Sequence, residues 1–456
     1  MRKFVYDGRD IGCAGFLGLG QSTIGICEYL KKKYPRLPLI LRSDREINPD
    51  VQGRVNLFDE IYCGESAFSN IHEDIIFTSP SVRRDRRELD PFRRSGVVFS
   101  SDAELFFRFA EMPIFSVSGS DGKSTTATLA AMMMTEGNRS AAALGNIGVA
   151  MAPYINSSVT AAVAELSSFQ LMNFEPTSRR AIITNISPNH LDWHTSFDEY
   201  TEAKKNIMKR ASERVFNLDC PICRELAAEL KADIAYSTTL SETDMRKAVR
   251  ADCYICLQGT KIRANGVEIL DTGAIKRASR HNFINFTAAI ALTYGYASRS
   301  RIYEVANEFS GLGSRCESIG TFDGVEYIDS SIDSTPRRTV TTLLSLPSSA
   351  IVIIGGRSKR LDYSELIPTL CDKAKAVVLT GEVGEELLPM LKSTRELEVP
   401  YIYIADFDGA VKYAAKIAKS GDTVILSPAS TSFDCFKNYR ERAERFKHII
   451  YTIYKK

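Results

Sequence analysis

Short apolar runs alternate with helix-like segments along most of this chain, and this rhythm is the strongest constraint on its fold. In residues 1–99 the runs include CAGFLGLG, LPLILRSD, EDIIFTSP and GVVFSS. A second series begins at MPIFSVSGSDGKST, and a third follows Gly311 with SAIVIIGG, KAVVLTG and DTVILSPAS. Buried parallel strands are typically continuous apolar runs connected by crossover helices. The pattern predicts an α/β protein with three consecutive domains, at 1–99, 100–311 and 312–456.

Length and composition fit a globular protein with several cores. The chain has 456 residues, of which 44% are hydrophobic and 25% charged, as expected for two or three domains. Its 58 basic and 56 acidic residues nearly balance, so it lacks the basic excess of nucleic-acid-binding proteins. No apolar run approaches the ~20 residues that cross a bilayer, and the first residues do not resemble a signal peptide. We expect a cytoplasmic protein with no nucleic-acid partner and no membrane span.

A glycine-bounded turn between an apolar strand and a helix predicts a phosphate site. The strand FSVS is followed by Gly119, Ser120, Asp121, Gly122, Lys123, Ser124 and Thr125. Backbone N–H groups of such a loop surround phosphate oxygens, the lysine reaches the terminal phosphates, and a hydroxyl can bind Mg²⁺. The spacing is shorter than in the common P-loop, so the loop alone also fits an ordinary strand-to-helix turn.

Several motifs, beginning with this loop, resemble the Mur ligase family. Glu165-Leu-Ser167-Ser168-Phe169-Gln170-Leu is similar to the signature of the D-glutamate-adding branch. Folylpolyglutamate synthetases share the short loop but not this signature. Further matches, in chain order, are Leu144-Gly-Asn146-Ile-Gly, Thr184-Asn185-Ile-Ser-Pro-Asn189-His190-Leu-Asp192, Tyr200-x-x-Ala-Lys204, His281-Asn282-x-x-Asn285 and Gly311-Leu-x-x-Arg315-x-Glu317.

The resemblance covers nearly the whole chain and implies both a fold and an activity. The first and third domains would be Rossmann-like, and the middle domain a mixed sheet of the P-loop ATPase type with a smaller β region. The activity would be ATP-dependent addition of D-glutamate to UDP-N-acetylmuramoyl-L-alanine through an acyl phosphate, in peptidoglycan precursor synthesis. The resemblance also implies a monomer.

The same resemblance supplies expectations for ATP and two Mg²⁺ ions. ATP would contact the phosphate loop together with Asn282, Asn285 and Arg315. Ser124 and Glu165 would hold one ion, and His190 and a carbamylated Lys204 the second, so that the catalytic residues are Lys123, Glu165, His190 and Lys204. Glu165 follows the apolar run AAVA, which predicts a place at the carboxyl end of a buried strand, where α/β proteins bind ligands.

Substrate-binding residues are likewise implied by resemblance. The UDP-substrate would be bound by Gly20, Gln21, Ser22, Arg45, Asn146, Ser167 and Gln170. D-glutamate would be bound by Ser334, Lys359, Ser432 and Tyr439.

Two alternatives compete with this interpretation. Cys220-Pro-Ile-Cys223 and Cys253-Tyr-Ile-Cys256 have the spacing of a zinc ribbon, as in Mur-like ligases that work with an amidotransferase. However, CPIC is expected to open a helix and CYIC to lie in a strand, and the segment near Ser432 favours the D-glutamate branch, so zinc is not expected. Departures from the family pattern at Asn189, Ser330 and Asp333 leave a non-catalytic nucleotide-binding paralogue as the second alternative.

Overall fold

Strands and helices alternate through two compact units of the chain. The computed structural model describes residues 3–44, 55–191, 193–276, 278–309, 311, 313, 317–346, 348–358, 361–394 and 399–455. One unit comprises Met1–Ala278 and Asn282–Glu308, and the other Ser279–His281 and Phe309–Lys456. The expected mixed α/β fold is confirmed, and no helix in these ranges is long and apolar enough to cross a membrane.

The strands, in chain order, are β1 Phe4–Tyr6, β2 Arg9–Ile11, β3 Ala14–Leu17, β4 Leu39–Ser43, β5 Glu60–Cys63, β6 Ile75–Thr78, β7 Val98–Ser100, β8 Ile114–Ser118, β9 Ala141–Gly145, β10 Ala161–Glu165, β11 Arg180–Ile183, β12 Glu213–Asn217, β13 Ile234–Ser237, β14 Cys253–Gln258, β15 Lys261–Ala264, β16 Val267–Asp271, β17 Glu317–Phe322, β18 Val325–Asp329, β19 Ala350–Gly355, β20 Ala374–Thr380, β21 Tyr401–Tyr403 and β22 Thr423–Leu426.

The helices are α1 Gln21–Lys33, α2 Asp90–Arg94, α3 Asp102–Phe109, α4 Lys123–Met134, α5 Ser168–Leu171, α6 Phe197–Lys209, α7 Pro221–Leu230, α8 Glu242–Ala248, α9 Arg280–Thr293, α10 Arg299–Glu308, α11 Pro336–Ser345, α12 Leu366–Lys373, α13 Gly381–Ser393, α14 Phe407–Ile417 and α15 Tyr439–Tyr454.

The first sheet of the larger unit has the strand order β5-β4-β3-β6-β7, and its neighbouring strands are parallel. Its last strand reaches Ser100, at the predicted boundary of the first domain. Because β3 and β6 are parallel neighbours, the loops after them lie side by side at one edge of the sheet.

The second sheet of this unit has the order β16-β15-β14-β13-β12-β11-β8-β10-β9. The strands from β9 to β14 pair in parallel, whereas β14, β15 and β16 are antiparallel neighbours. Within the parallel part β8 lies between β10 and β11, with Val117 paired to both Glu165 and Ile182. Three carboxyl ends therefore meet at one edge, where α/β proteins keep their ligand sites.

A continuous apolar core joins the two sheets of the larger unit. It includes Phe16 and Phe77 from the first sheet, Ala162 and Ile183 from the second, and extends to Cys256. Burial of this apolar area is the main stabilising contribution to the unit.

The smaller unit is built on a sheet of order β17-β18-β22-β19-β20-β21. β17 is antiparallel to β18, and the other neighbours are parallel. Separate apolar clusters cover its two faces, as a parallel sheet buried on both sides requires. The loops after β18, β19 and β22 meet at one edge.

Candidate active site

The phosphate loop depends on two glycines that no other residue could replace without displacing a neighbour. Gly119 has a φ of +148°, and a Cβ there would lie 1.9 Å from Thr184 Oγ1. Gly122 has a φ of +75°, and a Cβ there would lie 2.5 Å from Asn285 Oδ1. Only glycine combines these backbone angles with so little space. The close approach also places Asn285, predicted to bind ATP, directly against the loop, one turn along α9 from Asn282.

The loop after β11 is fastened to the phosphate loop by side chains and backbone. Ser120 Oγ donates to the Ser187 carbonyl at 2.9 Å, and the Asp121 N–H donates to Asn185 Oδ1 at 2.9 Å. Thr184 Oγ1 donates to the Asp121 carbonyl at 2.6 Å. The backbone N–H groups at the start of α4, where Lys123 and the buried Ser124 stand, are thereby held in place for an anion.

Glu165 is a buried carboxylate with one oxygen left without a hydrogen-bond partner. It ends β10 and is 0% exposed. Asn146 Nδ2 donates to its Oε1 at 2.8 Å, whereas Oε2 has no hydrogen bond within the described parts of the chain. A buried carboxylate oxygen without a partner is strongly destabilising. A divalent cation would satisfy it, and carboxylate oxygen is a ligand that suits Mg²⁺. This donor set fits the expected ion.

Lys204 is buried against the phosphate loop. Its side chain is 1% exposed, and Nζ donates to the Gly119 carbonyl at 2.8 Å. Burial lowers the pKa of Lys204 well below its ordinary value, and the positive charge of Lys123 lowers it further. A neutral amine is the nucleophilic form of lysine. The lowered pKa favours the neutral amine, the form from which the expected carbamate would be made.

His190 lies at a turn with a positive φ of 54°. Its backbone N–H donates to Asn189 Oδ1 at 2.9 Å, and its ring meets Phe169 edge-on at 5.0 Å between centroids. Asn189, which departs from the family pattern, thus accepts a hydrogen bond at this turn.

A polar chain missed by the sequence analysis runs behind His190. Ser168 Oγ lies 2.9 Å from His194 Nε2, and His194 Nδ1 lies 3.3 Å from Glu199 Oε2. Burial lowers the pKa of His194. Glu199 is also paired with Arg83 from the loop after β6. The only sequence signal was the position of His194 four residues after His190, because the other partners are distant in the chain.

Of the seven residues expected to bind the UDP-substrate, five lie at two helix starts in the larger unit, and Asn146 follows β9, where it donates to Glu165. Gly20 precedes the first turn of α1, which contains Gln21 and Ser22, and such a helix N-terminus favours an anion. Ser167 and Gln170 form a capping box at α5, in which the Ser167 N–H donates to Gln170 Oε1 at 2.9 Å. Arg45 lies outside the described residues.

In the smaller unit, Ser334, Ser432 and Tyr439 follow the carboxyl edge of the sheet. Ser334 comes after β18, the buried Ser432 after β22, and Tyr439 opens α15. Lys359 and Arg315 lie outside the described residues.

Arg442 organises this edge and was not anticipated from the sequence. Its buried guanidinium donates to the carbonyls of Ser331 at 2.9 Å, Ser430 at 3.0 Å and Gly355 at 3.3 Å. The loops after three strands are therefore held by one side chain. Burial lowers the pKa of Arg442 to about 10. No local motif marked this arginine.

The two C-x-x-C pairs lie on different kinds of element. Cys220 precedes α7 and Cys223 belongs to it, and Cys253 and Cys256 lie on β14, both as expected. Side chains three apart on a strand point to opposite faces. Across the described ranges no group of three or more His, Cys, Asp or Glu side chains is arranged to hold a metal ion.

Comparisons with known proteins agree with this arrangement. Residues 117–293 match the Mur ligase middle domain, and residues 314–430 match the Mur ligase glutamate ligase domain. A UDP-N-acetylmuramoylalanine–D-glutamate ligase of Acetivibrio thermocellus is 34% identical over 449 residues, covering 96% of each chain. An enzyme of the same name from Clostridium botulinum is 33% identical over 445 residues, covering 95% of each.

Solved structures show the same fold. A UDP-N-acetylmuramate–alanine ligase of Thermotoga maritima matches with a TM-score of 0.63 at 19% identity, covering 96% of this chain and 99% of that one. A pseudomurein peptide ligase of Methanothermus fervidus matches with a TM-score of 0.55 at 16% identity, covering 97% and 100%. The family models and the relatives that match over 96% of each chain show that the chain belongs to the Mur ligase family.

Proposed function

We propose that this chain is the ATP-dependent ligase that adds D-glutamate to UDP-N-acetylmuramoyl-L-alanine in peptidoglycan precursor synthesis. The observation that carries the proposal is the buried Glu165, whose Oε2 has no hydrogen-bond partner within the described ranges, on the strand next to a phosphate loop. The curated relatives, similar over 96% of the chain, support the choice of acceptor and substrate. They do not favour the zinc-ribbon and non-catalytic alternatives.

In this proposal three domains divide the substrates among them. The Rossmann-like domain at 1–99 binds the UDP moiety, the domain at 100–311 binds ATP, and the Rossmann-like domain at 312–456 binds the amino acid. The enzyme acts as a monomer in the cytoplasm.

The first half of the reaction is phosphoryl transfer to the alanyl carboxylate. One carboxylate oxygen attacks the γ-phosphorus of ATP, the bond to the β–γ bridging oxygen breaks, and ADP leaves. The N–H groups of the phosphate loop and the Lys123 ammonium stabilise the charge on the transferring group. Ser124 and Glu165 would hold one Mg²⁺, and His190 and carbamylated Lys204 would hold a second. The two ions would neutralise phosphate charge. Asn282, Asn285 and Arg315 hold the nucleotide.

The second half is amide formation. The neutral amine of D-glutamate attacks the acyl carbon, its nitrogen loses a proton to the solvent, the C–O bond to phosphate breaks, and inorganic phosphate leaves. Gly20, Gln21, Ser22, Arg45, Asn146, Ser167 and Gln170 keep the UDP-substrate in place. Lys359, Ser334, Ser432 and Tyr439 hold the amino acid, because an ammonium and hydroxyls suit its side-chain carboxylate.

Phosphate release with UDP-N-acetylmuramoyl-L-alanine and a panel of amino acids tests the proposal. We expect release that depends on ATP and on D-glutamate, and little with L-glutamate, L-lysine or diaminopimelate, since an amino acid that leaves buried donors unpaired loses ~1–3 kcal/mol per group. Equal release with L-lysine would contradict the acceptor but not the ligase class. Absence of release with every amino acid would contradict the activity.

A further inference from the structure

Cys220 and Cys223 form a thiol pair at the start of α7. Cys220 is the residue before the helix, Pro221 occupies its first turn, and Cys223 is buried within that turn. Residues three apart at a helix start are close neighbours, and both thiols are free. The pair is therefore arranged for an intramolecular disulfide.

This pair is connected to the ATP-binding loops through Ile186. The Ile186 N–H donates to Cys220 Sγ at 3.4 Å. On either side of Ile186, Asn185 and Ser187 are the residues that hydrogen-bond to the phosphate loop. One hydrogen bond therefore connects the Cys220 sulfur to Ile186, and a second connects the residues beside Ile186 to the loop that would surround the nucleotide phosphates.

Cys220 has the character of a reactive thiol. Interaction with the neighbouring Cys223 thiol, with further backbone N–H donors, outweighs burial and lowers the pKa of Cys220 to about 6. By contrast, burial raises the pKa of Cys253 to about 11. Cys220 is 7% exposed and Cys223 0%, so Cys220 is the more accessible of the two and is the thiol expected to react first. The thiolate is the nucleophile in such oxidations.

We propose that Cys220 and Cys223 are a peroxide-sensitive modification site whose disulfide reversibly lowers ligase activity. The Cys220 thiolate attacks one oxygen of hydrogen peroxide, and the O–O bond breaks. Hydroxide departs as the leaving group, and Cys220 becomes a sulfenic acid. Cys223 then attacks that sulfur, loses its proton, and displaces the hydroxyl as water. The two thiols lose two electrons in total, and the peroxide is reduced to two molecules of water.

The disulfide acts on the nucleotide site by weakening the contacts of Cys220 with Ile186. Cys220 Sγ accepts the Ile186 N–H at 3.4 Å and donates to the Ile186 carbonyl at 3.9 Å, whereas a disulfide sulfur has no proton to donate and is a weak acceptor. The disulfide also draws Cys220 towards Cys223, because its bond geometry is fixed. The segment from Asn185 to Ser187 loses one attachment, and the phosphate loop loses support. This regulatory effect rests on the proposed function, whereas formation of the bond does not.

The test begins by treating the purified protein with hydrogen peroxide and removing the excess. Mass spectrometry of peptides then maps the disulfides, and phosphate release is measured before and after a dithiol reductant is added. We expect a bond between residues 220 and 223 and about tenfold lower activity, in the range typical of coupled sites. The reductant should restore activity. The variant Cys220→Ser should resist peroxide, and the matched control Cys253→Ser should lose activity as the wild type does.

Several outcomes would contradict the proposal. One is that no 220–223 disulfide forms at peroxide concentrations that oxidise the exposed Cys435. A second is that peroxide inactivates Cys220→Ser as much as the wild type. A third is that the disulfide forms without any loss of activity. If Cys220→Ser does not fold, Cys223→Ala should stop at the sulfenic acid, and disulfide formation in it would also contradict the pair. A mapped bond in a protein that shows no ligase activity even before treatment would contradict the proposed function while supporting the thiol pair.

Discussion

The Arg83 guanidinium meets the Glu199 carboxylate as a fork, with Nη1–Oε2 and Nη2–Oε1 distances both 3.1 Å. Arg83 follows β6 of the first sheet, whereas Glu199 belongs to α6 beside the second. The same guanidinium donates to the Trp193 carbonyl at 2.9 Å and lies 5.1 Å from the centre of its indole. The pair therefore fastens the first sheet's loop to the segment that carries His190.

Replacing Arg83 with lysine should show how much the paired hydrogen bonds between Arg83 and Glu199 contribute to stability and substrate binding. Arg83→Lys keeps the charge but loses the paired hydrogen bonds, and we expect the free energy of unfolding to fall by about 1–2 kcal/mol. The KM for the UDP-substrate should rise more than kcat falls, since the loop after β6 lies beside the loop after β3, which carries residues proposed to bind that substrate. Denaturant titration and steady-state kinetics check this. The control is Arg246→Lys on exposed α8, and an equal effect there would contradict the role of Arg83.

Lys123→Ala should remove a charge that acts on the transferring phosphoryl group. We expect kcat to fall roughly a thousandfold, a loss of several kcal/mol in transition-state stabilisation. Phosphate release measures the change, and thermal unfolding should show a folded protein. Lys205→Ala, which removes an ammonium paired to Glu202 on α6, is the control. Turnover of Lys123→Ala near that of the wild type would rule out this role.

Lys204→Ala should be nearly inactive and should recover part of its activity with an added short-chain carboxylic acid. The vacated space is buried beside Gly119, so a small carboxylate can occupy the position of the carbamate. Phosphate release at increasing acid concentration measures the rescue. The wild type should gain nothing from the acid. Full activity of Lys204→Ala without any addition would exclude the carbamate.

Lys359→Ala should weaken D-glutamate binding selectively. Loss of an ammonium that pairs with a carboxylate is expected to raise the KM for D-glutamate about tenfold or more. The KM for the UDP-substrate should change little, because the proposal assigns the two substrates to different domains. An unchanged KM for D-glutamate would remove Lys359 from the acceptor site.

Asp102 should make stability depend on pH in the opposite sense to most carboxylates. Its oxygens accept the N–H groups of Met151 and Ala152, both at 2.8 Å, but burial raises its pKa from 3.8 to about 6. A raised folded pKa means that the stabilising contribution is fully present below about pH 4 and is lost as pH rises through about 6.

The difference in unfolding free energy between wild type and Asp102→Asn isolates this contribution. It should fall by about 2–3 kcal/mol between pH 4 and pH 7. Denaturant titration at each pH provides the measurement. A difference that stays constant over this range would show that Asp102 is not the group responsible.

Local sequence patterns predicted the elements and the edge of the sheet that carries the site. The phosphate loop and Glu165 could be anticipated because a strand, its terminal residue and the next helix are contiguous in the chain. Three contacts could not be anticipated. They are the hydrogen bond from Lys204 to Gly119, the ion pair between Arg83 and Glu199, and the hydrogen bonds from Arg442 to three carbonyls. Each depends on packing between residues far apart in sequence, which apolar periodicity does not encode. The division into three domains, the site roles and the number of ions stay predictions.

The apolar core shared by the two sheets has a consequence for synthesis of the chain. The face of the first sheet that bears Phe16 and Phe77 belongs to a cluster completed only by residues as late as Cys256. At about 5–20 residues per second, a ribosome needs roughly 10 to 30 s between completing the first hundred residues and reaching that cysteine. During this interval the nascent amino-terminal part has an incomplete core. It is then a substrate for chaperones and proteases, and rare codons between these points would lengthen its exposure.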